Sequence, residues 1–334
     1  AVIGKLAGVR DKTVLTSWTG EHSTRGPRER VQAEGIPTYD TPEDAVRAFV
    51  QMVDYQRNQR LLLEAPPSLP ELFDPDRDAA KHIVAQVLDS GRDWLTEPEA
   101  KGLLSAYGIP TVVTVGAKSP SEVAQCAKDI GGQEAIKILS PDITHKSDVG
   151  GVLLNVSPDN AAAAAHEMLE RVSTKQPDAK IEGFTVQAMV RRPGAHELIV
   201  GMVDDAQFGP VILFGHGGTA VEVIDDKALA LPPLNLKLAQ DLITRTRVSK
   251  ILRGYRNVAP TDLQAVAMTL VRLSYLITDL PGIVELDINP LLADAAGVIA
   301  LDARVRVAPA APNVDRLAIR PYPKALEAEV TDTT

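Results

Sequence analysis

Two spacings of apolar residues alternate along the chain. In the segment opened by Thr41-Pro42-Glu43-Asp44, residues Ala45, Val46, Phe49, Val50 and Val53 recur every three to four positions and predict an amphipathic helix. Its start carries a capping threonine, a proline in the first turn and two early acids. Upstream, Thr13–Ser17 reads as a buried strand, Thr24–Glu34 as a helix and Gly35–Tyr39 as a break and short strand. This is α/β grammar, but too little of it for a free-standing domain. Residues 1–63 are therefore expected to be part of an α/β domain whose beginning lies outside the chain. Residues 64–78 contain four prolines and several acids and read as an extended linker. Beyond it the pattern predicts helices over Asp78–Asp89, from Thr96 to Gly108, and over Ser119–Ile130 and Asn160–Ser173. Strands are predicted over Thr111–Val115, Ala135–Leu139 and Val152–Val156.

The second half is richer in alternation. Gly183–Val190 and Glu197–Val203 are expected to form a hairpin around Arg-Arg-Pro-Gly-Ala. Strands Val211–Phe214 and Thr219–Ile224 follow, then helices Lys237–Thr246 and Thr261–Asp279. Gly282–Ile288 and Val298–Leu301 read as the last strand pair, with Glu285, Asp287, Asn289 and Asp302 near its ends. The organisation is α/β (α+β): a module over 79–308, followed by a tail or linker over 309–334.

Composition narrows the function classes. The net charge of −9 and pI near 5.3 leave no footprint for nucleic acid or an anionic membrane. No apolar run reaches the roughly 20 residues a span needs. Cys126 is the single cysteine, so no internal disulfide exists, and a cytoplasmic location is the default expectation.

The stretch Lys137–Gly151, KILSPDITHKSDVGG, holds the candidate chemistry. A lysine at a strand edge can meet a phosphate as a point charge, and paired glycines let backbone N–H groups close over phosphate oxygens. His145 is a candidate base or phosphoryl carrier. Taken alone, the stretch reads equally well as a surface loop between strands. Near the C-terminus, Asn289 and Asp302 end two strands that a short hairpin would set side by side. One carboxylate and one amide beside phosphate oxygens suit Mg²⁺. For any single acid, solvation at a strand end is the simpler account. Together, a lysine strand, a glycine loop, an adenine-sized apolar slot and this pair describe an ATP–Mg²⁺ site.

The ordered motifs KILSPDITHKSDVGGV, QAMV, HELIVGMVDDAQFGPVILFGHGGTAVEVIDD and ELDINPLL resemble the ATP-grasp module of the ADP-forming acyl-CoA synthetases, relatives of succinyl-CoA synthetase. The resemblance covers about Arg77 to Val307. It implies an ATP-grasp fold of two subdomains and an acid-thiol ligase activity that this chain carries only in part. TSWTGE and AEGIPTYDTPEDAVRAF resemble the end of a flavodoxin-like ligase-CoA domain, and RLAIRPYP resembles the join to a GNAT-type acetyltransferase. The resemblance implies these roles: Lys137 on nucleotide phosphates; His145 as a phosphorylated histidine; Gly150 and Gly151 in the phosphate-covering loop. Gln187 to Met189 would be the adenine hinge and Glu197 a nearby acid holding the nucleotide. Asn289 and Asp302 would be the magnesium ligands, Asp287 an acid facing the phosphohistidine, and Gly20 the start of a helix that stabilises the phosphorylated loop. The approach to Lys137 departs from the family: it is Gly-Gly-Gln-Glu, which sets Glu134 close to the lysine in sequence. ATP/ADP and Mg²⁺ are the expected ligands. CoA and acyl-CoA are expected only through domains outside this chain, and homo-oligomerisation stays open. The alternative is a catalytically silent module sensing nucleotide or acyl-CoA for a fused lysine acetyltransferase.

Overall fold

The computed structural model describes residues 12–64, 66, 73–143, 146–218, 225–256, 258–310 and 316–320. The chain divides into two units, residues 1–65 and 66–334. In the first, β1 (Thr16–Ser17) and β2 (Thr38–Tyr39) pair in parallel around α1 (Glu21–Ala33), and α2 (Pro42–Leu62) follows. Thr41 caps α2 as its sequence predicts, its hydroxyl accepting from the Asp44 amide at 3.1 Å. Val46, Phe49, Val50 and Val53 share the predicted face but remain exposed.

The second unit has two lobes, each with its own core. Helices α3 (Arg77–Asp89) and α4 (Glu97–Ala106) belong to the larger lobe, where Val84, Leu103, Leu104 and Tyr107 join the core of its sheet. Phe73 and Asp76 fall in the proline-rich stretch read as a linker, yet both are packed here. Phe73 lies edge-on to Tyr275, ring centroids 5.8 Å apart, and the Asp76 amide donates to the Ala106 carbonyl at 2.8 Å.

The chain then enters the smaller lobe. It comprises β3 (Thr114–Ala117), α5 (Pro120–Ile130), β4 (Glu134–Leu139), β5 (Val152–Val156), α6 (Ala161–Lys175) and β6 (Gly183–Ala188). The antiparallel sheet has the order β3-β6-β4-β5. Ile136, Ile138, Phe184 and Val186 alternate onto α5 and α6, whose inward faces carry Val123, Ala127, Ala165, Met168 and Val172.

The chain returns to the larger lobe for β7 (His196–Asp205), β8 (Gly209–His216), β9 (Lys227–Ala230), β10 (Ile283–Asp294), β11 (Gly297–Ala300) and β12 (Ala303–Val307). Helices α7 (Leu236–Thr244), α8 (Ser249–Leu252) and α9 (Leu263–Asp279) lie between β9 and β10 in sequence. The sheet runs β11-β10-β7-β8-β9, and β12 also pairs with β10.

Two sequence expectations change. Gly183–Val190 and Glu197–Val203 are not hairpin partners, because β6 lies between β3 and β4 while β7 lies between β10 and β8. Residues 183–187 are buried throughout, the mark of a central strand in the smaller sheet. The Arg-Arg-Pro-Gly-Ala connection crosses between lobes instead. Arg191 bonds Gln133 and Asn155 in the smaller lobe, whereas Arg192 bonds Asp294 and the Gly297 carbonyl, each at 3.2 Å, in the larger. Likewise 283–288 pairs with β12, and β11 pairs with the later half of β10. The strand expected over Thr219–Ile224 lies outside the described residues. Arg316, in the stretch likened to a fusion join, bonds Asp204 at 2.8 Å and the Ile283 carbonyl at 3.0 Å. Among the described residues, no helix is long and apolar enough to cross a membrane.

Candidate nucleotide site

β4 alternates regularly along β6, and this sets the direction of its side chains. Ile136 and Ile138 enter the smaller lobe's core, so Lys137 takes the opposite face, across from Thr185. Glu134 shares the face of Ile136 and Ile138. The acid adjacent in sequence is therefore turned away from the lysine.

Helix α4 closes the cleft beside Lys137. Thr96 and Glu99 form a reciprocal capping box, with the Thr96 amide 2.7 Å from the Glu99 carboxylate. The segments on either side of the helix are bonded to the larger sheet: Leu95 N–H to the Val305 carbonyl at 3.0 Å, and Val112 N–H to that of Ala300 at 3.1 Å. This buries Glu97, one residue into the helix, at 4% exposure. Its Oε1 accepts from Lys137 Nζ at 2.7 Å and from Lys101 Nζ at 2.9 Å, and Lys146 Nζ lies 3.9 Å from Oε2. Lys101 also donates to Thr114 at 2.7 Å and to Gln187 Oε1 at 2.8 Å. Burial would raise the Glu97 pKa, but Lys137 and Lys101 outweigh it and hold the carboxylate well below its usual range. Burial also opposes the charge on Lys137, yet Asp302 and Glu97 lift its pKa above the ordinary lysine value. For Lys101 burial prevails, and its pKa falls.

The acidic side of the cleft comes from the larger sheet. Ile288 pairs with Ala303 on β12, and Leu291 with Ala300 on β11. One register runs through both pairings and sets Asn289 opposite Asp302, as the hairpin argument requires. Asp302 reaches across to Lys137 at 3.4 Å. Asn289 Oδ1 accepts from the Gly218 amide at 3.1 Å. Gly218 has φ +84°, and a Cβ there would come within 2.1 Å of the Glu197 carboxylate, so Glu197, Gly218 and Asn289 adjoin. Asp287, one alternation back along β10, is half-buried. Burial, with Asp302 and Glu285 nearby, raises its pKa to about 6 against the opposing pull of Arg304.

Gly150 and Gly151 do not present free N–H groups: these donate to the Ser147 and Lys146 carbonyls at 3.0 and 2.7 Å, closing the loop as a turn. The need for glycine is steric. A Cβ on Gly151 would sit 2.7 Å from Ile138 Cγ2 and 3.0 Å from the Lys146 carbonyl oxygen. The Met189 amide is likewise committed, to the Gln133 carbonyl at 2.8 Å, and the Gln187 side-chain Oε1 to Lys101. Gly20 starts α1 with φ +102° and supplies no side-chain cap. His145 lies outside the described residues. Sequence reasoning read Glu97 as part of a helix start and missed Lys101 and Lys146 as members of the cluster. The available signal was Glu97 and Lys101 at i,i+4 on a helix whose neighbouring positions are apolar.

An ATP-grasp domain model matches residues 86–307. The chain belongs to the ATP-grasp family. It is 37% identical over 227 residues to acetate–CoA ligase [ADP-forming] I subunit beta of Pyrococcus furiosus, covering 68% of this chain and 97% of that subunit. It is 36% identical over 282 residues to acetate–CoA ligase [ADP-forming] I of Archaeoglobus fulgidus, covering 84% of this chain but 40% of that protein's length. Among solved structures, a dinucleotide-forming acetyl-coenzyme A synthetase 1 from Ca. Korarchaeum cryptofilum, in complex with coenzyme A and Ca-AMPCP, matches at 36% identity with TM-score 0.65. The match covers 69% of this chain and all of that one. Another structure of that synthetase carries Mg-AMPPCP, with its phosphohistidine segment pointing towards the nucleotide-binding site. The two lobes facing each other across Lys137 and Asp302 are the ATP-grasp architecture.

Proposed function

We propose that this chain is the nucleotide-binding part of an ADP-forming acyl-CoA synthetase, exchanging a phosphoryl group between a phosphohistidine and ADP. The reading rests on one juxtaposition: Lys137 of the smaller sheet lies 3.4 Å from Asp302, which the larger sheet sets opposite Asn289. A cation on one wall and oxygen donors on the other are what a metal-bound polyphosphate requires. The donor set fits magnesium, since one carboxylate and one amide oxygen leave room for phosphate oxygens and water. When bound, the metal would neutralise charge developing on the transferred group. Lys137 would hold phosphate oxygens as a fixed charge, and the Gln187–Met189 strand end and Glu197 would bound the base and sugar. His145 would take and return the phosphoryl group, and Asp287 would be the acid that faces a phosphohistidine. The remaining steps, from carboxylate and CoA to the acyl phosphate and thioester, belong to regions of the longer relatives that this chain does not match.

Calorimetric titration with ATP and Mg²⁺ tests the reading. A charge-assisted phosphate contact contributes about 1.5–3 kcal/mol, so Lys137→Ala is expected to weaken ATP by roughly tenfold or more. An unchanged dissociation constant would overturn the assignment.

A further inference from the structure

Glu97 lines the cleft from an almost fully buried position, and it is the nearest anion to the lysine of the site. Its side chain is 2% exposed. Lys137 Nζ thus sits between two carboxylates, 2.7 Å from Glu97 and 3.4 Å from Asp302. Their circumstances differ. Glu97 is fixed by Lys101, whose other two bonds go to Thr114 and Gln187. Asp302 is more open, its side chain 37% exposed, and it faces Asn289 across the register. An ammonium held by a buried acid keeps its position when the exposed acid turns to another cation.

We propose that Glu97 is a positioning residue that draws Lys137 off Asp302, leaving that carboxylate free to take the metal of a metal–nucleotide complex. The inference rests on the nucleotide-site reading above. Without the Glu97 charge, Asp302 is the one remaining carboxylate within 4.0 Å of Lys137 among the described residues. The lysine then competes with the metal for the same oxygens.

Removing Glu97 alone would strand Lys101 in a buried site, so the comparison uses Glu97→Gln in a Lys101→Met background against Lys101→Met alone. ATP affinity is measured by calorimetry over a series of Mg²⁺ concentrations. The double variant is expected to need roughly tenfold more Mg²⁺ for half-maximal ATP affinity. Adding Lys137→Ala to both members should abolish that difference, because the competing ammonium is gone. A merely structural Glu97 would weaken binding equally at every Mg²⁺ concentration and in both Lys137 backgrounds; that result, or an unchanged Mg²⁺ requirement, overturns the proposal. If Lys137→Ala alone leaves ATP affinity as in the parent, the site reading fails first and the proposal with it. Melting curves exclude any variant that has lost its fold, and a fold lost in the double variant but kept in Lys101→Met overturns the proposal in favour of a structural role.

Discussion

Replacing Glu134 with leucine should stabilise the protein, and more so at high pH. Glu134 is 0% exposed, and neither of its carboxylate oxygens has a hydrogen-bond partner. Burial pushes its pKa above the usual carboxylate range. A glutamate in an unfolded chain titrates near about 4.3. Because the folded pKa is the higher, any stability linked to this group is fully present below about pH 4.3 and is lost as pH rises through the folded value. Leucine is close in size and sits on the face of Ile136 and Ile138. Relief of an unsatisfied buried group is worth about 1–3 kcal/mol. In a unit of this size each kcal/mol moves the melting temperature by about 2–4 °C, so Glu134→Leu should melt about 2–12 °C higher at pH 8. At pH 4.5 the gain should shrink, since the raised pKa leaves more of the parent carboxyl protonated there than at pH 8. Glu134→Gln separates charge from polarity: it should flatten the pH dependence with a smaller gain. Differential scanning calorimetry of the three proteins between pH 4.5 and 8 decides the matter. Equal gains at both ends, or a leucine variant less stable than its parent, would show that the carboxylate is satisfied in solution.

Other expectations concern the loop, the phosphoryl carrier and the larger core. Incubation with γ-labelled ATP and Mg²⁺ should leave an acid-labile, base-stable label that His145→Ala abolishes; protein that binds ATP yet stays unlabelled would count against transfer to this histidine. Gly151→Ala should destabilise by about 1–3 kcal/mol through the clash with Ile138 and the Lys146 carbonyl, read by denaturant unfolding. It should also weaken ATP through displacement of Lys146, and wild-type stability and affinity together would refute the steric account. Asp279 accepts from Arg77 at 2.7 Å and from the Tyr107 hydroxyl at 2.9 Å. Asp279→Ala should therefore lower unfolding free energy by about 1–3 kcal/mol, a value that a urea midpoint equal to that of the parent would contradict.

The parts of the fold carried by local pattern were legible in the sequence. The apolar spacing of Val123 and Ala127, or of Ala165, Met168 and Val172, depends on one helix and its sheet, and those helices lie where expected. Partnership between strands was not legible. Gly183–Val190 and Glu197–Val203 satisfy every local requirement of a hairpin, and what separates them is the distant bonding of Arg191 and Arg192 to opposite lobes. The site divides similarly. Asn289 and Asp302 could be paired because they end neighbouring strands of one short hairpin. Glu97 and Lys137 are 40 positions apart in different lobes, and a buried acid in a helix's first turn looks like an ordinary capping acid until tertiary structure covers it. The glycine pair announced a tight loop, but the direction of its N–H groups depends on carbonyls whose placement no local pattern specifies.

Adjacent residues gripping opposite lobes have a mechanical consequence. The smaller lobe is an insertion joined to the larger at two crossings. In one, Arg191 and Arg192 hold different lobes. In the other, Val112 is bonded to Ala300 of the larger sheet while Thr114 already pairs with Gln187 of the smaller, leaving the 71%-exposed Val113 between them. Each crossing can swivel over about one residue, so two pivots define a single axis and the lobe should swing as a gate on two pins rather than slide. Helix α4 stays with the frame. The Glu97–Lys137 contact spans the gap like a latch together with the bonds of Lys101 to Thr114 and Gln187, and their rupture would set the resistance to opening.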